Sequence, residues 1–145
     1  MKMDKYVLAA MWGALATLAA EAVSLMLLAA GLGNQDVYSM DSLLVTQDTP
    51  SPFIGLIVNL VVGGSSAVVL CFLLDRLGSQ CVLIKGIMMS LFIWFVFNLY
   101  SGAFIEGRFV EVRADAAHYN QVLGVLADGA AVGALFRLTI FKKKA

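Results

Sequence analysis

Four polar side chains stand where an otherwise apolar chain has least use for them: Glu21, Asn59, Asn98 and Asp128. Each lies inside a long apolar run, where an ionisable group is expensive to keep and, when kept, marks a proton or ion pathway. Two carboxyls and two amides make an all-oxygen donor set, which suits a proton or a hard cation better than zinc or copper. Arg137 lies nine residues after Asp128 and His118 ten before it, and no other base is nearer. By helix rise each is more than about 12 Å away. Glu21 and Asp128 are therefore candidates for a shared proton or cation site, with Asn59 and Asn98 as supporting ligands. The plainer reading of the same groups is hydrogen-bonded glue between helices.

The surrounding faces agree with either reading. Thr17, Glu21 and Ser24 share one helical face, as do Gly55, Asn59, Gly63 and Ser66, and Gln121, Gly124 and Asp128. Asn98 with Ser101 makes a thinner version. Gly129 and Gly133 form a small-xxx-small pair, and Ala9, Gly13 and Thr17 a looser stripe, of the kind that lets membrane helices approach closely.

The elements that must carry these residues are four spans, since a membrane-crossing helix needs about 20 mostly apolar residues. They are expected over about 6–32, 52–74, 82–105 and 120–141, with outer loops at 33–51 and 106–119, in one domain covering 1–145. The runs are continuous rather than alternating, which excludes a membrane β-barrel. The expected fold is all-α, an up-down bundle of four transmembrane helices. Counted from the outer end of each span, Glu21 lies roughly 16 Å deep, Asn59 and Asn98 roughly 10 Å and Asp128 roughly 12 Å, which forms one band. The first span resembles a signal peptide at its start. Its apolar run resumes as Val23-Ser24-Leu25-Met26-Leu27-Leu28, however, so a retained helix is expected.

Composition supports a bilayer as solvent: the chain is 61% hydrophobic and 14% charged over 145 residues. Soluble domains average about 45–50% apolar and about 25% charged. Zero net charge excludes nucleic acid, which needs a basic face. The neutral sum hides a sorted arrangement. With both termini cytoplasmic, Lys2, Lys5, Arg76, Lys85, Arg137 and Lys142 to Lys144 lie inside, eight of the ten basic residues. The outer loops hold Arg108 and Arg113 together with Asp36, Asp41, Asp48, Glu106, Glu111 and Asp115. Cys71 and Cys81 flank the inner turn and read as small packing residues, with no zinc or thioredoxin-like spacing. Tyr38, Met40, Leu43 and Leu44 in the first outer loop suggest a short interfacial helix.

There is no nucleophile–base pair, histidine cluster, metal motif or phosphate loop, so neither an enzyme nor a cofactor is expected. His118, beside Tyr119, reads as a solitary interfacial histidine, and Arg137 as a snorkelling one. Trp12, Trp94 and Tyr100 read as lipid-facing or packing. Two function classes follow. One is a non-catalytic subunit or scaffold packing with itself or with other membrane proteins. The other is a small oligomeric proton- or cation-coupled transporter or channel using Glu21 and Asp128.

An acid in the first span, Pro52-Phe53-Ile54-Gly55 opening the second, the stretch from Cys81 to Gly86 entering the third, and a basic tail give a layout to compare. It resembles a group of uncharacterised small four-helix bacterial integral membrane proteins, which implies a multi-pass protein of the bacterial inner membrane and lends no activity. Residues 16–24, Ala-Thr-Leu-Ala-Ala-Glu-Ala-Val-Ser, are similar to the first helix of small multidrug-resistance transporters. There a membrane glutamate exchanges protons for cationic drugs. This chain is longer, has extended outer loops, adds Asp128 in helix four and lacks that family's aromatic pattern in helix two. The similarity implies Glu21 as a proton carrier and no more.

Overall fold

The computed structural model describes residues 4–32, 36–47, 49–104 and 115–141. Among these residues five helices form in chain order: α1 (Lys5–Ala29), α2 (Val37–Thr46), α3 (Pro52–Leu77), α4 (Val82–Phe104) and α5 (Asp115–Thr139). None of the described residues is in a strand. α1, α3, α4 and the His118–Thr139 part of α5 are each long and apolar enough to cross a membrane. The chain is thus an all-α, multi-pass membrane protein whose four long helices run alternately up and down.

Local chemistry sets the helix ends. Asp4 caps α1 by accepting from the Tyr6 N–H at 2.7 Å, satisfying one of the donors a helix start leaves open. Pro52 occupies the first turn of α3, where its missing N–H is no loss. Gly78, at φ 85°, turns the chain out of α3. The Lys85 ammonium then donates to the Gly78 carbonyl at 2.8 Å across the turn. The start of α1 is tied to the end of α3 by the Lys5–Asp75 ion pair and by Tyr6 Oη donating to Asp75 Oδ2 at 3.1 Å.

Small residues decide which helices touch. In α1 and α3 the backbones meet at Gly13 and Gly63: a β-carbon on Gly13 would overlap the Gly63 carbonyl oxygen and the Ala67 side chain. In α4 and α5 a β-carbon on Gly86 would lie 2.7 Å from the Gly129 carbonyl oxygen, and one on Gly133 2.7 Å from Leu83 Cα. α1 and α5 close the middle, where Gly124 faces Ala20. The order around the bundle is therefore α3, α1, α5, α4, and the consecutive helices α3 and α4 hardly pack together.

The packed core lies toward the end of the bundle that carries the α3–α4 turn. Ala9, Ala16, Ala67, Leu70, Cys71, Leu74, Val82, Val132 and Phe136 form it, with Tyr6, Trp12 and Met89 against it. Large apolar side chains point outward on every long helix, among them Met11, Leu18, Phe53, Val61, Ile84, Phe92, Leu99 and Leu138. Small residues at the helix contacts and large apolar side chains on the outer surface are what a hydrocarbon solvent allows. Cys71 is a core residue, as expected. Cys81 is instead exposed in the turn at φ 55°, so it is not a packing residue.

α2 forms where the sequence suggests an interfacial helix, but it is drawn into the bundle rather than resting on a surface. Val37, Tyr38, Met40 and Leu43 are each no more than 6% exposed. It lies across the end opposite the α3–α4 turn and reaches from Ser24 on α1 to Gly55 on α3. A β-carbon on Gly55 would overlap the Tyr38 carbonyl, so α3 needs glycine there for α2 to seat. α5 starts at Asp115, earlier than the expected 120, which places His118 on a helix. Most of the second outer loop, together with Lys2 and Lys142 to Lys144, falls outside the described residues.

Candidate functional site

Asp128 anchors the polar interior. α5 brings it under α2, and its Oδ2 accepts from Ser90 Oγ of α4 at 2.8 Å. Its Oδ1 is buried without a hydrogen-bond partner among the described residues. Asp128 and Ser90 lie on a partly open cavity of about 80 Å³ lined by residues of all five helices. An ionised carboxylate there needs a counter-charge, and a neutral one needs a proton, because burying a charge with neither is prohibitive.

A second carboxyl lines the same cavity from above. Asp41, on α2, accepts from Asn59 Nδ2 through its Oδ2 at 2.8 Å. Asn59 spends its other amide hydrogen on the Gly55 carbonyl at 3.0 Å. The Asn59 side chain thus bridges α2 to α3 and fixes the carboxyl it serves. Thr17 and Ser66 also line the cavity, and their hydroxyls turn back to the Ala14 and Gly63 carbonyls at 2.8 and 2.9 Å. Thr17 Oγ1 additionally lies 3.4 Å from Tyr38 Oη. Val58, Val62, Ile93, Trp94, Phe97 and Val125 make the remaining wall apolar.

Size limits the occupant. At about 80 Å³ the cavity accommodates a few waters or a small, partly hydrated cation. Sites for drug-sized ligands run about 300–1,000 Å³. Among the described residues no cluster of three His, Cys, Asp or Glu side chains is placed to hold a metal ion.

The structure separates the two acids that the sequence pairs. Glu21 does not line the cavity; its Oε2 accepts from the Tyr38 N–H at 3.2 Å, and Ser24 Oγ accepts from the Val37 N–H at 3.1 Å. Asp36 completes the set by accepting from the Ser39 N–H at 3.0 Å. Three acceptors, two of them from α1, therefore satisfy the three N–H groups that open α2, and acids suit that end of a helix dipole. Burial pushes the Asp36 carboxyl up. The Ser39 hydroxyl and N–H, with the Glu21 carboxyl beside it, outweigh burial and hold it below the ordinary 3.8.

Asn98 likewise lies outside the cavity and donates to the Trp94 carbonyl of its own helix at 2.9 Å. Gln121 and Ser101 are buried, at 2% and 4% exposure, away from the cavity wall. Of the residues singled out by sequence, the structure brings together Asp128, Asn59, Thr17, Ser66 and Gly63, and adds Asp41 and Ser90. Asp41 is hidden in sequence because it looks like one more loop acid. The available signal is its place one helical turn after Tyr38 in a stretch with apolar partners. Ser90 is signalled by falling one turn before Trp94 and two before Asn98.

No family model, curated protein or solved structure matches the chain.

Proposed function

We propose that this membrane protein is a small transporter or channel that binds a proton or a small monovalent cation at Asp128. Asp41 and Asn59 form the opposite side of the site. The observation that carries the reading is Asp128 Oδ1, buried and without a hydrogen-bond partner among the described residues, on a largely apolar cavity within the span region that Asp41 also lines. Two carboxyls on one small cavity favour uptake of a positive charge, and Ser90 holds Asp128 on the cavity wall. Glu21 is a structural acid in this account, whereas the likeness of residues 16–24 to transporter helices had made it the carrier. Both termini on the cytoplasmic face of a bacterial inner membrane is the orientation that goes with the distribution of lysines and arginines. Flux in proteoliposomes tests it: the wild-type protein dissipates an imposed proton or cation gradient, and Asp128→Asn does not.

A second reading has its own observation. The seam between α3 and α4 is open along the bundle, and α4 keeps Ile84, Met88, Phe92, Phe95 and Leu99 exposed. That surface fits a non-catalytic subunit packing with another membrane protein or another copy of itself. Native mass spectrometry from mild detergent separates the readings. A stoichiometric partner without flux from the purified protein supports the subunit.

A further inference from the structure

Near the α3–α4 turn the open seam becomes a groove of about 280 Å³. Leu70, Leu73, Leu77, Met88 and Phe92 wall it, and the one charged residue lining it is Lys85, close to the turn. The groove exists because glycines draw its two walls apart: Gly86 pulls α4 onto α5, and Gly63 holds α3 against α1.

The end of this groove nearest the α3–α4 turn carries its one charged residue. Lys85 Nζ donates to the Gly78 carbonyl at 2.8 Å and lies 3.5 Å from that of Leu77. These contacts hold the ammonium in place and engage two of its three donors. α4 starts beside it at Val82, presenting the positive end of its helix dipole. The nearest acid on α3, Asp75, is already committed to Lys5 and Tyr6. A positive, positioned end on an otherwise apolar slot is complementary to an amphiphile with an anionic head.

We propose that this groove binds one acyl chain of an anionic phospholipid, with the headgroup phosphate on the Lys85 ammonium and the start of α4. The groove runs from Leu70 to Leu77, about 10 Å of helix rise. Its single ammonium at one end of an apolar lining favours an amphiphile over the wholly apolar face of a partner helix. The inference is independent of the Asp128 site and stands or falls without it.

The test uses the full chain reconstituted in vesicles of equimolar phosphatidylglycerol and phosphatidylcholine with matched acyl chains. Retained lipid is then counted by native mass spectrometry after mild extraction. Wild type keeps phosphatidylglycerol over phosphatidylcholine by about tenfold, because both lipids offer the phosphate but phosphatidylcholine also brings its choline cation toward the Lys85 ammonium. Lys85→Gln brings the two lipids to parity, and Leu73→Trp, which fills the groove, releases both. Arg76→Gln is the control for surface charge, because the Arg76 guanidinium is held over the Phe72 ring, 5.3 Å from its centroid. It leaves the preference intact. Equal retention of the two lipids by wild type, an unchanged preference in Lys85→Gln, or an equal loss in Arg76→Gln overturns the proposal. So does a dimer that Leu73→Trp dissolves, which would assign the groove to a second copy.

Discussion

Replacing the two α1 side chains that hold the start of α2 isolates what Glu21 does. Ser24→Ala removes the acceptor for the Val37 N–H, and Glu21→Ala removes that for the Tyr38 N–H. Each is a cap made by a neutral group, about 1 kcal/mol. Together they come to about 2 kcal/mol, which at 1.4 kcal/mol per decade shifts the seated-to-unseated ratio of α2 by about 30-fold. Hydrogen exchange of the protein in lipid nanodiscs reads this directly. Exchange over 37–46 accelerates by about that factor, while the long helices, whose hydrogen bonds are their own, keep their protection. Glu21→Gln retains an oxygen acceptor for Tyr38 and loses far less. Unchanged exchange over 37–46 in the double alanine variant would refute the capping role and return Glu21 to the list of candidate proton carriers.

Gly86→Val forces a branched side chain against the Gly129 carbonyl and destabilises the α4–α5 pair by about 1–3 kcal/mol. A lower unfolding midpoint in a denaturing-detergent titration checks it. Gly102→Val is the matched control, with nothing within 4 Å of its β-carbon, and an equal loss there would sink the packing argument. Because the Asp36 carboxyl sits below its ordinary value, its support for α2 is full above pH 3.8 and fades as the pH falls further. Pepsin cleavage within 37–47, normalised at each pH to an unfolded peptide of the same sequence, therefore increases as the pH drops from about 4 toward about 2. Asp36→Asn removes that dependence, and a wild-type profile flat over the same range would contradict it.

The four spans were legible because each holds about 20 apolar residues between polar breaks, and that signal survives any packing arrangement. Which helices touch was partly legible. Gly129 and Gly133 announce a close contact, but their partner Gly86 is a single glycine, and no repeat marks it as the other half of the interface. The polar band was harder. Helix rise gives depth to within a turn but not direction around the axis, so Glu21 and Asp128 looked paired when Thr17 and Ala20, not Glu21, are the α1 residues on the cavity wall. Direction depends on where α2 seats, and the charges at its cap, Asp36, and within it, Asp41, make the stretch read as a loop with a surface helix. Its true position rests on contacts distant in sequence: Ser24 to Val37, Glu21 to Tyr38, and Asp41 to Asn59. One-dimensional periodicity contains none of these.

Proton or cation flux through proteoliposomes carrying wild type, Asp128→Asn and Glu21→Gln side by side tests the central claim most directly. A pH-sensitive dye inside the vesicles reads protons, and a cation-sensitive dye reads sodium or potassium. The account predicts flux from wild type, near-complete loss in Asp128→Asn, and flux largely retained in Glu21→Gln, which still caps α2. Flux in Asp128→Asn equal to wild type, or no flux from wild type at all, would contradict it.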